Sequence, residues 1–156
     1  MNITPTVLDG LLIIEPRVFK DERGYFLETH HRLRFESADI DCIFVQDNLS
    51  FSKKGTLRGL HFQKTHPQAK LVQAVTGKIF DVGVDLRPGS DTFGKWSGVI
   101  LSEENKRQLF ISKGFAHGFV SLAKVPMLPI NAPIFTTPAM KVASCGRTRL
   151  SPLSGR

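Results

Sequence analysis

The sequence predicts an all-β fold, a sandwich or barrel of antiparallel strands. Short apolar runs recur along the chain with turn signals between them, a spacing typical of such folds. The chain has 156 residues, of which 41% are hydrophobic, so it is long enough to bury one substantial core. Small antiparallel barrels of this kind keep ligands in the mouth of the barrel.

The first predicted strands lie in the N-terminal third of the chain. Residues 10–19, 23–31 and 42–52 each combine β-branched or aromatic residues with flanking turn signals. Only residues 32–39 offer a helix, and it is short.

A hairpin is predicted over residues 70–87, because Gly77 and Lys78 can form a two-residue turn with glycine first. The second arm of this hairpin alternates strictly between two faces. One face is apolar and the other largely polar: Phe80, Val82, Val84 and Leu86 against Ile79, Asp81, Gly83 and Asp85. Further strands are predicted at residues 97–102 and, around a Gly-rich corner, in residues 108–123.

The composition changes after Ala123. Residues 124–156 contain five of the nine prolines and no Asp or Glu. Proline lacks the N–H that a central strand needs, so a sheet could use this segment only at an edge. We therefore predict one domain at residues 1–123 and a poorly ordered, Pro-rich basic tail at residues 124–156.

The net charge of +7 arises largely from this tail, which holds five Lys and Arg residues and no acid. Its basic residues are not interleaved with aromatic ones, which argues against a nucleic-acid partner. The sequence shows no membrane span and no signal peptide, so we expect a cytoplasmic protein. Cys42 and Cys145 lie far apart without a CxxC partner, and we expect both to be ordinary small residues.

The chemical signal lies in the segment "TLRGLHFQ". A regular strand here would put His61 on one side and Arg58 on the other. A lone strand histidine is usually structural, but Lys70 and His117 follow in "QAKLVQ" and "GFAHGF". A neutral histidine near cationic side chains is a good base beside an anion-stabilising site.

The segments "DERGYFLE", "QDNLSFSKKGTLRGLHFQ" and residues 67–122 resemble the dTDP-4-dehydrorhamnose 3,5-epimerase family, and the resemblance covers about residues 1–123. It implies a cupin-like jelly-roll barrel that acts as a homodimer without a metal or an organic cofactor. The implied substrate is a dTDP-linked 4-keto-6-deoxyhexose, epimerised at C3 and C5 in dTDP-L-rhamnose synthesis.

The resemblance also implies roles for individual residues. His61 would be the base, Lys70 would stabilise the enolate oxygen, and Arg58 would hold the pyrophosphate. Contacts to the diphosphate, base and sugar would come from Arg23, Phe26, Glu28, Gln46, Asn48 and His117. Arg23 would reach into the site of the neighbouring subunit. Without the resemblance, Glu28 could be a solvated residue, Phe26 a core residue and His117 a corner histidine.

The chain departs from the family pattern in its tail. The family carries a tyrosine proton donor in a "KCTDYY"-like segment and an aspartate that steadies the histidine, whereas Tyr25 is the only tyrosine here. The abrupt change near Lys124 is typical of a reading-frame shift or a replaced terminus. One alternative is therefore a nucleotide-sugar-binding remnant without turnover. A second is a metal-dependent cupin that gathers His61, His66 and His117 around a divalent ion.

Overall fold

Two antiparallel sheets enclose one apolar core in the computed structural model, which describes residues 1–40, 42–122 and 139–145. The described elements in chain order are β1 (Asn2–Pro5), β2 (Leu11–Glu15), β3 (Val18–Asp21), β4 (Gly24–Leu27), α1 (Arg32–Glu36), β5 (Phe44–Phe51), β6 (Leu57–His61), β7 (Ala69–Ala74), β8 (Lys78–Asp85), β9 (Trp96–Ser102), β10 (Gln108–Ile111), β11 (Phe115–Ser121) and β12 (Ala139–Cys145). Among these residues, no helix is long and apolar enough to cross a membrane.

The larger sheet has the strand order β1-β2-β10-β7-β12-β5, and the smaller sheet has the order β6-β11-β8-β9. Strands β3 and β4 form a separate hairpin. The core between the sheets contains Leu8, Leu11, Val72, Ala74, Ile79, Leu101, Leu109, Ile111, Phe115, Phe119 and Met140. A second cluster, which includes Phe35 of α1, covers the outer face of the larger sheet. The predicted all-β class is therefore confirmed.

The N-terminal elements match the predicted ones, except that the first predicted strand is divided into two. The apolar run at residues 10–19 forms two strands, β2 and β3, with Pro16 between them. Proline cannot donate to a ladder, so it interrupts the strand at this point. The predicted helix is present as α1, shorter than expected, and it buries Phe35.

The predicted hairpin at residues 70–87 is wrong. Strand β7 pairs with β10 and β12, whereas β8 pairs with β9 and β11, so the two strands lie in different sheets. Gly77 does adopt a positive φ of 71°, but its turn carries the chain from one sheet to the other. A Gly-centred turn fixes a change of direction and does not by itself make the flanking strands neighbours.

Part of the predicted tail belongs to the larger sheet. Strand β12 lies between β7 and β5 and pairs with both. It begins directly after Pro138 and contains no proline, so each of its residues can donate to the ladder. The expectation of a tail outside the barrel does not hold for these seven residues. Residues 123–138 and 146–156 lie outside the described part of the chain.

The two cysteines are not independent, in contrast to the expectation from sequence. Cys42 and Cys145 are paired as a disulfide, with a Cα–Cα distance of 5.8 Å across a sequence separation of 103 residues. Both lie buried in the cluster on the outer face of the larger sheet. Their distance in sequence hid the pairing, because β12 brings Cys145 back beside the segment that follows α1.

The Cys42–Cys145 bond should stabilise the position of β12. We expect Cys42→Ser to lower the free energy of unfolding by about 2–5 kcal/mol under oxidising conditions, because a crosslink over a long loop restricts the unfolded chain. Denaturant titration with and without a thiol reductant measures this difference.

The reductant should destabilise the parent protein and leave Cys42→Ser unchanged, which makes the variant its own control. Equal unfolding midpoints for the two oxidised proteins would contradict the prediction.

Candidate active site

A buried, hydrogen-bonded pair of side chains, Asp81 and His117, lies at the centre of the smaller sheet. Asp81 of β8 is fully buried, and both of its carboxylate oxygens lie 3.0 Å from Nε2 of His117 on β11. Ile79 and Phe115 are core residues that lie two positions before Asp81 and His117 on their strands. Because residues two apart share a face of a strand, both Asp81 and His117 face the core. Burial raises the pKa of Asp81, and the neighbouring His117 and Lys70 oppose that increase. The polar face of β8 is thus the face that points inward.

An irregularity in β6 places Arg58 and His61 on the same inner face. His61 pairs with His117, and Arg58 pairs with Phe119, so three steps along β6 match two steps along β11. The regular alternation expected from sequence would have put Arg58 and His61 on opposite faces. Directly paired residues share a face, so both now lie beside the Asp81–His117 pair.

Two glycines allow this close approach of β6 and β11. Gly59 has a φ of 111°, and a Cβ at this position would lie 2.5 Å from Cα of Gly118. A Cβ on Gly118 would lie 2.8 Å from the carbonyl oxygen of Arg58. Side chains at these two positions would therefore force the strands apart.

Lys70 contributes a cation from the larger sheet. It lies two positions before the core residue Val72 on β7, so it shares the face of Val72 and points between the sheets. Its cross-strand neighbours are Ile111 of β10 and Ser144 of β12. Burial lowers the pKa of Lys70, and the Asp81 carboxylate opposes this change.

Gln46 and Asn48 of β5 extend the same inner face. They pair with Ser144 and Val142 of β12, and Val142 packs against the core between the sheets. The Gln46 amide nitrogen Nε2 donates to Oδ1 of Asn48 at 3.0 Å. Amide groups in this arrangement can bind hydroxyl or carbonyl oxygens of a ligand.

The remaining predicted site residues lie outside this inner face. Arg23 is at the tip of the β3–β4 hairpin, where its Nη2 pairs with Asp21 at 2.6 Å. Phe26 is 70% exposed on the same hairpin. Glu28 follows the hairpin and forms an ion pair of 2.9 Å with Arg34. Within one chain, the structure does not bring these three side chains to Lys70 or His117.

No group of three or more His, Cys, Asp or Glu side chains suited to a metal ion occurs in the described residues. His117 uses its Nε2 atom on Asp81, and His66 lies exposed in the loop after β6. The described residues therefore give no support to a metal site built on His61, His66 and His117.

Sequence reasoning assigned no chemistry to Asp81, which the polar alternation in β8 makes only a weaker candidate for a pocket residue. It missed Ser144, because that segment belongs to the predicted tail. Ser144 is buried beside Lys70 and Gln46.

A separate cavity of about 190 Å³ lies on the opposite, outer face of the larger sheet. Its lining includes His30, Asp47, Gln73, Gln108 and Lys141. Burial lowers the pKa of His30 in this cavity. None of its lining residues belongs to the inner face, so we do not assign it to the candidate site.

Comparison with known proteins identifies related chains. Residues 5–128 match the family model for dTDP-4-dehydrorhamnose 3,5-epimerase. A relative from Methanothermobacter thermautotrophicus, described as a dTDP-4-dehydrorhamnose 3,5-epimerase, is 58% identical over 118 residues, which are 76% of this chain and 64% of the relative. The match thus spans slightly less than two thirds of that protein.

Solved structures give the same picture. A Legionella pneumophila dTDP-6-deoxy-D-glucose-3,5-epimerase in complex with dTDP-4-keto-L-rhamnose is 47% identical, with a TM-score of 0.83 over 94% of this chain and 72% of the other. A Bacillus anthracis dTDP-4-dehydrorhamnose 3,5-epimerase with TDP and pyrophosphate bound is 39% identical, with a TM-score of 0.83 over 96% and 79% of the two chains. This overlap confirms the expected cupin-like jelly roll.

Proposed function

Because the chain belongs to the dTDP-4-dehydrorhamnose 3,5-epimerase family, we propose that it acts on a dTDP-linked 4-keto-6-deoxyhexose and epimerises it at C3 and C5 by removing the protons next to the keto group. The observation that carries the proposal is the inner face, where Arg58, His61, Lys70 and the Asp81–His117 pair meet between the sheets. The dTDP-L-rhamnose route and the cytoplasmic location expected from the sequence are part of the same proposal.

His61 is the proposed base. The 4-keto group acidifies the C–H bonds on both neighbouring carbons, so one base can remove either proton. His61 lies at the end of β6, exposed to solvent and on the inner face. It therefore combines access to a ligand with a position next to buried charges.

Lys70 and Arg58 are the proposed cations. Proton loss places negative charge on the former keto oxygen, and a fixed ammonium group there stabilises the enolate more than the substrate. Lys70 is half-buried, where its charge acts in a low dielectric. The Arg58 guanidinium Nη2 donates to the carbonyl oxygen of Phe51 at 3.0 Å, which leaves further N–H groups for a diphosphate.

A second copy of the chain would complete the nucleotide end of the site. The β3–β4 hairpin exposes Phe19, Tyr25 and Phe26, and pairs only with itself among the described residues. An exposed apolar hairpin of this kind is suited to pack on another chain. We infer that it carries Arg23, Phe26 and Glu28 to the site of the partner, where Gln46 and Asn48 contact the sugar and base.

The return of the proton is the weak step of this site. Tyr25 is the only tyrosine of the chain, it is 56% exposed on β4, and Nζ of Lys106 lies 3.8 Å from its ring centroid. No tyrosine of this chain can therefore lie on the inner face of its own barrel. This observation supports a second candidate, a chain that binds the nucleotide sugar with little or no turnover.

His61→Asn should abolish base catalysis. We expect solvent-deuterium incorporation at C5 to fall by about 10²–10⁴-fold, the usual contribution of a general base, while dTDP still binds. Mass spectrometry of the sugar measures the exchange. His66→Asn, an exposed histidine five positions along, is the control and should retain the parent rate. Unchanged exchange in His61→Asn would exclude this role.

Deuterium exchange should be faster than epimerisation in this chain. Without an inner-face tyrosine, the return of the proton opposite His61 falls to water or to a group not positioned for this step, and this slows inversion more than proton loss. The measurement is the ratio of labelled substrate to inverted product in one reaction. Parity of the two rates in the parent chain would show that another residue serves as the acid.

Ser144→Tyr tests the same point by adding a phenol beside Lys70 on the inner face. We expect the ratio of epimerisation to exchange to rise by about tenfold, part of what a positioned acid supplies. Lys141→Tyr places the phenol in the outer cavity and should leave the ratio unchanged. An equal rise in both variants would contradict the assignment.

The chain should be a dimer. Phe26→Asp places a charge on the apolar hairpin and should shift the protein towards the monomer at micromolar concentration in analytical ultracentrifugation. Val7→Asp changes an apolar residue outside the hairpin that is more exposed than Phe26, and this variant should remain dimeric. A compact monomer for the parent chain would refute the proposed assembly.

A further inference from the structure

Asp81 is a buried carboxylate with two different partners. It has no exposed surface, and it lies in the middle of the inner face of β8, near core residue Ile79. A charge removed from water in this way is costly unless hydrogen bonds and opposite charges compensate it. Nε2 of His117, 3.0 Å from both oxygens, supplies the hydrogen bond. Lys70 points between the sheets from β7 of the opposite sheet, on the face that carries the core residues Val72 and Ala74, and its ammonium group supplies the opposite charge.

The interaction between Asp81 and Lys70 acts in both directions. Burial raises the pKa of Asp81, and the charge of Lys70 lowers it again. Burial lowers the pKa of Lys70, and the charge of Asp81 raises it again. Asp81 is thus the group that opposes the loss of the ammonium charge when Lys70 is desolvated.

Strand β8 carries a second buried carboxylate, Asp85, but that carboxylate is paired with Arg87 at 2.8 Å. The other elements around Lys70 offer no further carboxylate among the described residues. Strands β10 and β12 present Ile111 and Ser144 as its cross-strand neighbours. Strand β5 presents Gln46 and Asn48. Strand β6 presents Arg58 and His61, and β11 presents His117, which already contacts Asp81.

We propose that Asp81 is a positioning residue for proton abstraction: its carboxylate keeps Lys70 charged between the sheets and holds the His117 ring in one orientation. This proposal rests on the proposed function, because it concerns the cation that stabilises the enolate. Asp81 does not touch the reacting carbons and is not the base. It acts through Lys70 and His117.

The chemistry explains why such a residue is needed. When His61 takes the proton, the electron pair of the C–H bond moves into the enolate, whose oxygen gains negative charge. A neutral amine at Lys70 would offset this charge poorly, so the rate depends on the proton remaining on Nζ. Because a carboxylate only accepts hydrogen bonds, the Nε2–H group of His117 donates to Asp81, and this contact orients the ring.

Asp81→Asn removes the charge and keeps an acceptor for His117. Loss of the carboxylate lets the pKa of Lys70 fall, and exchange requires protonated Lys70, so the alkaline limb of the pH–exchange profile should move to lower pH. At pH values above the midpoint of this limb in the variant, we expect kcat for exchange to be about 10- to 100-fold lower than in the parent. This loss is smaller than the loss expected when an oxyanion donor itself is removed. The dissociation constant for dTDP should stay unchanged.

A second readout does not depend on activity. Lysines are methylated with 13C, and the Lys70 resonance, assigned with Lys70→Arg, is titrated by NMR in the absence of substrate. Asp81→Asn should lower the titration midpoint of this resonance, and Asp81→Glu should restore part of it. Should Asp81→Asn not fold, Asp81→Ser takes its place, since it also removes the charge.

Asp47→Asn is the matched control, because Asp47 is a carboxylate 3.4 Å from the Lys141 ammonium on the outer face of the same sheet. It should alter neither the Lys70 titration nor the pH profile. An unchanged Lys70 midpoint in the neutral Asp81 variants would overturn the proposal even if the chain is active. Absence of exchange in the parent chain, with a normal Lys70 shift, would instead overturn the proposed function alone.

Discussion

The burial of Asp81 between the two sheets is the constraint on which the inner face depends. A carboxylate in this position requires a donor and a counter-charge, and the fold provides His117 from the adjacent strand and Lys70 from the opposite sheet. The core is therefore not apolar throughout. Ile79 and Phe119 pack on the same surface that carries the charged groups, so packing residues and chemical residues share strands.

The sequence predicted the class of fold and most of the strands, because apolar alternation and turn residues are local signals. It did not predict which strands are neighbours. The turn at Gly77 was consistent with a hairpin, yet β7 and β8 enter different sheets, and only the long-range pairing of β10 and β11 decides this. Strand β12 was hidden for a similar reason, since proline content describes a segment as a whole and not its proline-free part.

For the candidate site, too, the sequence predicted the residue types but not their arrangement in space. His61, Lys70 and Arg58 could be selected from sequence because their residue types are unusual in a strand and match a known family. The shared face of Arg58 and His61 could not be predicted, because it depends on an irregularity opposite β11 and on the contact between Gly59 and Gly118. The inward direction of Asp81 depends on which face of β8 meets the second sheet, which no local pattern records.

The disulfide between Cys42 and Cys145 links two distant parts of the chain covalently, in addition to the hydrogen bonds between strands. Residues 42–145 form a closed ring that includes β5, β6, β7, β8, β11 and β12, the strands that carry the residues of the inner face. The exposed loop at residues 62–68 lies inside this ring. A protease that cuts there would leave two fragments joined as one molecule until the bond is reduced, and the sheets could stay assembled around the break.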